Sequence, residues 1–253
     1  MTDLLTVTGL GVSYGGVRAV EAVDLTVAEG RVVGLIGPNG AGKTSTIDAL
    51  TGYHPPSAGS IVFDGRDITR MRPHLRARSG LVRTFQSVEL FDDLSVDENL
   101  LVAADHVGVL AALRDLLLPV RQPSRDDVDW ALDLCGLRDV ADRRPTELSH
   151  GRRKLVGVAR ALARRPKLVL LDEPAAGLDT DESLELGRRL RTLPEAGVSV
   201  LLVDHDMGLV LSVCDEVVVL DFGRRIAHGT PDEIRADPAV VAAYLGGGEV
   251  AHA

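Results

Sequence analysis

Residues 37–44, Gly-Pro-Asn-Gly-Ala-Gly-Lys-Thr, constrain the fold of this chain more than any other segment. They fit the pattern G-x-x-x-x-G-K-[ST], a loop whose backbone amides surround phosphate groups. The apolar residues 32–36 before the loop predict a buried strand, and residues 44–50 after it predict the first turns of a helix. The alternative is a glycine-rich turn with a chance Lys-Thr pair, which would not require this order of strand, loop and helix.

Each position of such a loop has a known task. Lys43 reaches the β- and γ-phosphates, and the hydroxyl of Thr44 is a ligand of Mg²⁺. The other loop positions predicted to contact the nucleotide are Gly37, Asn39, Gly40, Ala41, Gly42 and Ser45. Backbone amides of the loop and of the helix N-terminus attract an anion. The segment therefore predicts that the chain binds a nucleoside triphosphate together with Mg²⁺.

A second candidate element is residues 168–174, where four apolar residues are followed by Asp172, Glu173 and a proline. A buried strand that ends at a phosphate site places Asp172 on the Mg²⁺, directly or through water. Glu173 then lies one residue further on, where it can polarise an attacking water molecule. A solvated strand end is the alternative for this pair taken alone. Its pairing with the upstream phosphate loop favours the catalytic interpretation.

Composition limits the classes of partner. The net charge of −9 argues against broad binding to nucleic acid. Cys135 and Cys214 match no metal-ligand spacing, so we expect reduced cysteines in the core of a cytosolic protein. The chain has no apolar run of 18 residues and no charged start typical of a signal peptide. Any role at a membrane must therefore come through a partner.

The pattern of elements changes along the chain. Short β-type runs broken by turns fill residues 4–36, and residues 95–160 have the spacing of helices. Beyond residue 160, apolar strands alternate with amphipathic helices, which predicts a largely parallel α/β sheet. We expect residues 1–246 to form one domain with a helical subdomain at about 95–160, and residues 247–253 to be a disordered tail.

With the two motifs above, residues 148–152 make the chain resemble the ATP-binding subunits of ABC transporters over nearly its whole length. These residues, Leu-Ser-His-Gly-Arg, stand where that family has Leu-Ser-Gly-Gly-Gln. The resemblance implies that Ser149 and the backbone of Gly151 contact the γ-phosphate held by the opposite subunit. His150 and Arg152 depart from the family's glycine and glutamine. These departures leave open how tightly and how fast the site formed with the opposite subunit binds and hydrolyses ATP. They do not put the fold in question.

The resemblance implies further site residues. Tyr14 is similar to the aromatic residue that stacks on adenine, and Gln86 to the glutamine that contacts Mg²⁺ and senses the membrane partner. Asp179 is similar to the aspartate that crosses the dimer interface, and His205 to the histidine that contacts the γ-phosphate. The implied fold is an α/β P-loop NTPase of the ABC ATPase type. It has a mostly parallel core sheet, an N-terminal antiparallel β subdomain and a helical subdomain.

The mechanism implied by the resemblance is ATP-driven closure of two head-to-tail cassettes, followed by hydrolysis and opening. Lys43, Glu173 and His205 are its expected catalytic residues. The cofactors are ATP and Mg²⁺. The expected partners are a second ABC ATPase subunit, identical or different, two integral membrane permeases and, indirectly, a substrate-binding protein. No nucleic acid is expected. The expected location is the cytoplasmic face of the cell membrane.

Residues 83–86, 173–178, 204–207 and 243–246 look like those of the branched-chain amino acid importer ATPases. An ATPase of a urea or amide importer and one of a lipid exporter share much of this pattern. A non-transport ABC ATPase is the third alternative, but those chains usually carry two cassettes, a long coiled coil or a basic surface. The sequence identifies neither the transported substrate nor the permeases.

Overall fold

The computed structural model describes residues 2–84, 89–104 and 125–246. For residues 245 and 246 it describes the backbone only. The strands are β1 (Asp3–Tyr14), β2 (Val17–Ala28), β3 (Val32–Ile36), β4 (Ala58–Phe63), β5 (Arg66–Asp67), β6 (Leu81–Arg83), β7 (Leu168–Asp172), β8 (Ser199–Val203), β9 (Glu216–Asp221) and β10 (Arg224–Gly229). The described helices are α1 (Lys43–Thr51), α2 (Pro73–Arg78), α3 (Val96–Ala104), α4 (Arg125–Cys135), α5 (His150–Leu162), α6 (Thr180–Thr192), α7 (Met207–Val213), α8 (Pro231–Ala236) and α9 (Pro238–Gly246).

The larger sheet has the strand order β10-β9-β3-β8-β7-β6. Pairing is parallel from β9 through β6, and only the β9–β10 pair is antiparallel. The predicted, mostly parallel core sheet is therefore confirmed. The smaller sheet, β2-β1-β4-β5, is antiparallel throughout and comes from the N-terminal part of the chain, as expected.

Buried strands of the larger sheet are apolar on both faces, as parallel sheets covered on both sides require. In β7, Leu168 and Leu170 pack against the smaller sheet and helix α1. Val169 and Leu171 pack on the opposite face, against the helices from α3 onward. The smaller sheet and the later helices thus cover opposite sides of one central sheet.

The first segment differs from the sequence-based expectation. Residues 5–7 and 12–14, expected as separate short strands, both belong to the twelve-residue strand β1. The strand pairs with β2 through register shifts between Val7 and Leu10 and again between Leu10 and Val12. Gly9 and Gly11 lie within these irregularities, which let the strand continue through both glycines.

The start of α3 and the burial of both cysteines, which the sequence predicted, are clear in the structure. Helix α3 begins with a capping box, in which the Ser95 hydroxyl accepts from the Glu98 amide and the Glu98 carboxylate accepts from the Ser95 amide. Cys135 and Cys214 are buried free cysteines, and burial raises the pKa of both thiols to about 12. Residues 247–253, expected as a tail, lie outside the described part. None of the described helices has the length and apolar character needed to span a membrane.

Arg76 of α2 holds the C-terminal end of α1 in place. Its side chain donates to the carbonyls of Ala49 and Leu50, both at 2.7 Å, and to those of Met71 and Thr69. The residue is only 1% exposed, and burial lowers the pKa of the guanidinium to about 10. A cation at this position gives the last carbonyls of α1 a charged donor, in addition to the Gly52 amide that donates to Ala49 at 3.2 Å, and complements the helix dipole.

We expect Arg76→Met to lower the free energy of unfolding by about 3 kcal/mol, because buried carbonyls lose their donor. Urea denaturation followed by circular dichroism measures this loss. Arg78→Met, on the exposed side of the same helix, is the matched control and should change stability by under about 0.5 kcal/mol. Equal losses in the two variants would contradict a structural role for Arg76.

Candidate functional site

Three neighbouring parallel strands end at one edge of the larger sheet. Strand β3 leads into residues 37–44, β7 ends at Asp172, and β8 ends at Val203 just before His205. Because β3, β8 and β7 pair in parallel and lie side by side, the segments that follow them lie close together. The fold thus unites three motifs, of which the first lies more than a hundred residues before the other two in the sequence.

Residues 39–45 form most of the wall of a cavity of about 190 Å³. Its lining comprises Ala19, Asn39, Gly40, Ala41, Gly42, Lys43, Thr44, Ser45 and Glu173. Gly37 lies at the base of the loop, where its carbonyl accepts from the Lys43 ammonium. A cavity this small is below the usual range for pockets that enclose a whole ligand. Its size is suited to a phosphate chain and not to a whole nucleotide.

Lys43 is buried at the start of α1. Its ammonium donates to the carbonyls of Gly37 at 2.7 Å and Pro38 at 3.0 Å. Burial lowers the pKa of Lys43, while the nearby carboxylates of Glu173 and Asp172 act in the opposite direction. The ammonium is therefore held between the loop and the predicted catalytic carboxylates.

Asp172 is nearly buried and forms an ion pair with Arg83 at the end of β6. Nη2 of Arg83 lies 2.7 Å from Oδ2 of Asp172, and Nη1 lies 2.5 Å from Oδ1 of Asp48 on α1. Burial acts to lower the pKa of Arg83, but its hydrogen bonds to Asp48 and Asp172 outweigh burial and raise the pKa. One guanidinium thus joins the helix of the phosphate loop to the predicted metal carboxylate.

Glu173 and His205 lie next to each other. Nδ1 of His205 is 3.8 Å from Oε2 of Glu173 and 3.7 Å from Oδ1 of the buried Asp204. Glu173 has a left-handed backbone conformation, φ 47°, and its amide donates to the Val203 carbonyl at 2.7 Å. Such a conformation is costly for a residue with a side chain, and strain of this kind clusters at functional sites.

The residues near Asp172 suit Mg²⁺. The described residues contain no cluster of three or more His, Cys, Asp or Glu side chains able to hold a metal ion. Mg²⁺ does not need one, since it usually binds one or two carboxylates together with substrate phosphates and water. Thr44 and Asp172 supply the hard oxygen atoms it prefers. Gln86, the third predicted ligand, lies outside the described residues.

A second group of predicted residues surrounds the N-terminus of α5. Ser149 is the N-cap of this helix and accepts from the Arg152 amide at 3.3 Å. The Gly151 amide donates to Oε1 of Glu182 at 2.9 Å. Asp179, the N-cap of α6, accepts from the Glu182 amide at 2.9 Å. Gly151 and Asp179 are therefore linked through Glu182, and Ser149 caps the same turn of α5. None of the three lines the cavity at the phosphate loop.

The two departures from the family pattern have different surroundings. The His150 imidazole packs on Gly177, where a Cβ atom would lie 3.2 Å from Nε2 of the ring. Arg152 extends away from this turn and forms an exposed ion pair with Asp139 at 2.8 Å. His150 thus fills space between α5 and the loop before Asp179, whereas Arg152 is a surface residue.

Tyr14 lies at the end of β1 and is 42% exposed. Its ring is tilted by 38° against that of His54, with the centroids 4.2 Å apart. The Tyr14 ring is therefore already in contact with the His54 imidazole. Neither ring lines the cavity at the phosphate loop.

Sequence reasoning missed three residues of this site: Arg83, Asp48 and Glu182. Each is charged and connects predicted site residues across a long stretch of sequence. A signal for Arg83 existed, since it ends a short apolar strand three residues before Gln86. Nothing local marks Asp48 or Glu182, which look like ordinary charged residues of amphipathic helices.

This fold and this edge of the sheet define an ATP-hydrolysing P-loop cassette. The chain belongs to the ABC transporter family, whose model matches residues 20–176. A second model, described as branched-chain amino acid ATP-binding cassette transporter, matches residues 224–250, which include β10, α8 and α9. Members of this family bind and hydrolyse ATP, and so does this cassette.

Curated relatives match along nearly their whole length. The high-affinity branched-chain amino acid transport ATP-binding protein BraF of Pseudomonas aeruginosa is 42% identical, with 96% of this chain and 98% of BraF covered. The lipopolysaccharide export system ATP-binding protein LptB of Escherichia coli is 40% identical, with 96% and 97% covered. The crystal structure of the ADP conformation of MJ1267, an ATP-binding cassette of an ABC transporter, superposes with a TM-score of 0.86 at 30% identity, covering 97% of this chain and all of that one.

We expect Gly42→Ala to be much more damaging than Gly40→Ala, although both glycines have a left-handed conformation. A Cβ on Gly42 would lie 2.5 Å from the Ala19 carbonyl oxygen, whereas one on Gly40 meets nothing within 4 Å. Gly40→Ala should cost about 1–2 kcal/mol from backbone strain alone. Gly42→Ala adds steric overlap and should lose most ATP binding.

Thermal unfolding with and without ATP measures both effects. Gly40→Ala should retain most of the stabilisation by ATP, whereas Gly42→Ala should lose it and unfold at a lower temperature even without ATP. Equal behaviour of the two variants would show that contact with the Ala19 backbone does not shape the loop.

Proposed function

We propose that this chain is the ATPase subunit of an importer of branched-chain amino acids, which uses ATP-driven closure of two cassettes to move substrate across the cytoplasmic membrane. The observation that carries the proposal is the C-terminal match at residues 224–250 to branched-chain amino acid cassettes. The likeness to BraF, and to LivG of Escherichia coli at 39% identity, supports it. In this proposal the chain acts at the cytoplasmic face of the membrane.

The site residues have distinct roles in this proposal. Lys43 and the amides of the phosphate loop hold the β- and γ-phosphates, and Tyr14 stacks on adenine. Glu173 polarises the attacking water, and His205 contacts the γ-phosphate. Nδ1 of His205 lies 3.8 Å from Oε2 of Glu173, which supports the proposal that both side chains act at the γ-phosphate. Catalysis of phosphoryl transfer rests on this positioning and on charge stabilisation.

Magnesium fits the oxygen ligands of this edge of the sheet. Thr44 and Asp172 would hold it together with Gln86, and it would neutralise charge on the β- and γ-phosphates. Asp172 is oriented for this role by its ion pair with Arg83.

Ser149, Gly151 and Asp179 act on the nucleotide of the opposite subunit. None of the three lines the cavity at the chain's own phosphate loop, which supports this assignment. The Gly151 amide is bonded to Glu182, so contact with a γ-phosphate requires that this bond is shared or released. The second cassette is a copy of this chain or a related ATPase. Two permeases complete the transporter, and a substrate-binding protein delivers the substrate.

Export of a lipid is the second candidate function. It is favoured by LptB, whose 40% identity is close to that of BraF. The cassette does not contact the transported molecule in either case, so the chemistry of its site does not decide between them.

We expect Glu173→Gln to trap a dimer in the presence of ATP, because the amide keeps the shape of the side chain but cannot polarise water as a carboxylate does. Size-exclusion chromatography with light scattering should show a doubled mass that persists through the column. Glu195→Gln, at an exposed glutamate, is the matched control and should show no such species.

Adding Lys43→Ala to Glu173→Gln should abolish the trapped dimer, since phosphate binding is lost. A dimer that forms without ATP, or that survives the double substitution, would contradict nucleotide-driven closure. A Glu173→Gln chain that stays monomeric with ATP would contradict pairing with its own copy.

Uptake of radiolabelled leucine and of urea tests the substrate class. In cells whose only copy of the gene carries Lys43→Ala, leucine uptake should fall to background while urea uptake is unchanged. Lys167→Ala, at an exposed lysine, is the control and should transport normally. Selective loss of urea uptake would favour an amide importer, and unchanged uptake of both would favour export of a lipid.

A further inference from the structure

Arg83 connects three elements of the catalytic edge through two short ion pairs. It ends β6, contacts Asp48 on α1 at 2.5 Å, and contacts Asp172 at the end of β7 at 2.7 Å. The side chains of Arg83 and Asp172 are 9% and 10% exposed, and that of Asp48 is 27% exposed. Charge pairs in so dry a place are screened weakly, so each partner strongly affects the others.

The ion pair engages the carboxylate that is proposed to hold magnesium. Oδ2 of Asp172 accepts a hydrogen bond from Arg83, so a metal ion or its bound water must use Oδ1 or share Oδ2 with the guanidinium. A fixed positive charge beside Asp172 also repels a second cation. Arg83 thus orients the carboxylate and at the same time competes for it.

We propose that Arg83 is a positioning residue that sets how tightly Asp172 holds magnesium, and that Asp48 adjusts this grip by sharing the same guanidinium. When Asp48 engages Arg83, less of its positive charge is directed at Asp172. When the charge of Asp48 is removed by substitution, Arg83 holds Asp172 more strongly. The charge of Asp48 on α1 therefore controls how tightly Asp172 on β7 binds magnesium.

This inference rests on the proposed magnesium role of Asp172. It makes a prediction that a purely structural ion pair does not make, since removing either partner of a structural network weakens the site in the same direction. Here the two partners act in opposite directions. Removing Arg83 frees Asp172 for the metal, and removing the charge of Asp48 restricts it.

The test is a titration of MgCl₂ against the full-length chain with a fixed, subsaturating concentration of a fluorescent ATP analogue, followed by the change in fluorescence. For Arg83→Gln we expect the magnesium midpoint to fall at least threefold, and for Asp48→Asn to rise at least threefold. Arg83→Lys keeps the charge and should restore the midpoint to within about twofold of the wild type. Thermal unfolding in EDTA, which reports folding separately, should show Arg83→Gln destabilised, because a buried carboxylate has lost its partner.

The pair Lys167 and Asp64 is the matched control. It is an ion pair of the same type, 2.5 Å long but half-exposed, and Lys167 lies just before β7, at the strand end opposite Asp172. A strand rises about 3.3 Å per residue, so five residues separate the two ends by about 16 Å. That is beyond the screening length of roughly 8–10 Å. Lys167→Gln and Asp64→Asn should leave the magnesium midpoint unchanged.

The outcomes separate this inference from the proposed function. If the wild-type chain binds the analogue equally with magnesium and with EDTA, the metal role of Asp172 is wrong and this inference falls with it. If the wild type requires magnesium but the Arg83→Gln and Asp48→Asn midpoints stay unchanged or shift in the same direction, only the competition is refuted. Should Arg83→Gln fail to fold, Asp48→Asn and Arg83→Lys still decide, because a midpoint that does not rise in Asp48→Asn overturns the proposal.

Discussion

The parallel pairing of β3, β8 and β7 is the constraint on which the rest of this molecule depends. Parallel strands that lie side by side end at the same edge of their sheet, so the segments that follow them must meet there. The phosphate loop, Asp172 and His205 are brought together by that rule alone. These five-residue strands are buried on both faces, and a register slip would leave backbone groups unpaired inside the core, so the arrangement is rigid.

A site built this way concentrates charge in a place with little water. Burial lowers the pKa of Lys43, and the nearby carboxylates of Glu173 and Asp172 act in the opposite direction. A second cation, the Arg83 guanidinium, lies between the carboxylates of Asp48 and Asp172. The carboxylates of this edge are therefore held by cations of the chain itself. Any ligand that enters must compete with, or add to, contacts already made.

The local motifs were predictable because each depends on a few neighbouring residues. A glycine-rich turn between a strand and a helix defines the phosphate loop, and four apolar residues before two acids define the end of β7. Their long-range partners were not predictable. Asp48 and Glu182 have the spacing of ordinary exposed helix residues, and only packing places the first near Arg83 and the second on the Gly151 amide. The sequence also predicted two short strands where the structure has the single strand β1. The glycines of β1 are accommodated by irregular pairing with β2, which the sequence does not show.

The class of fold, the phosphate loop and the carboxylates at the end of β7 follow from short stretches of sequence, because hydrophobic periodicity and loop chemistry are local properties. Tertiary structure alone decided which charges meet. An ion pair such as that of Arg83 with Asp172 joins residues 89 positions apart. Its formation depends on the order of strands in the sheet and on the burial that removes competing water, and neither is encoded in any short stretch of the chain.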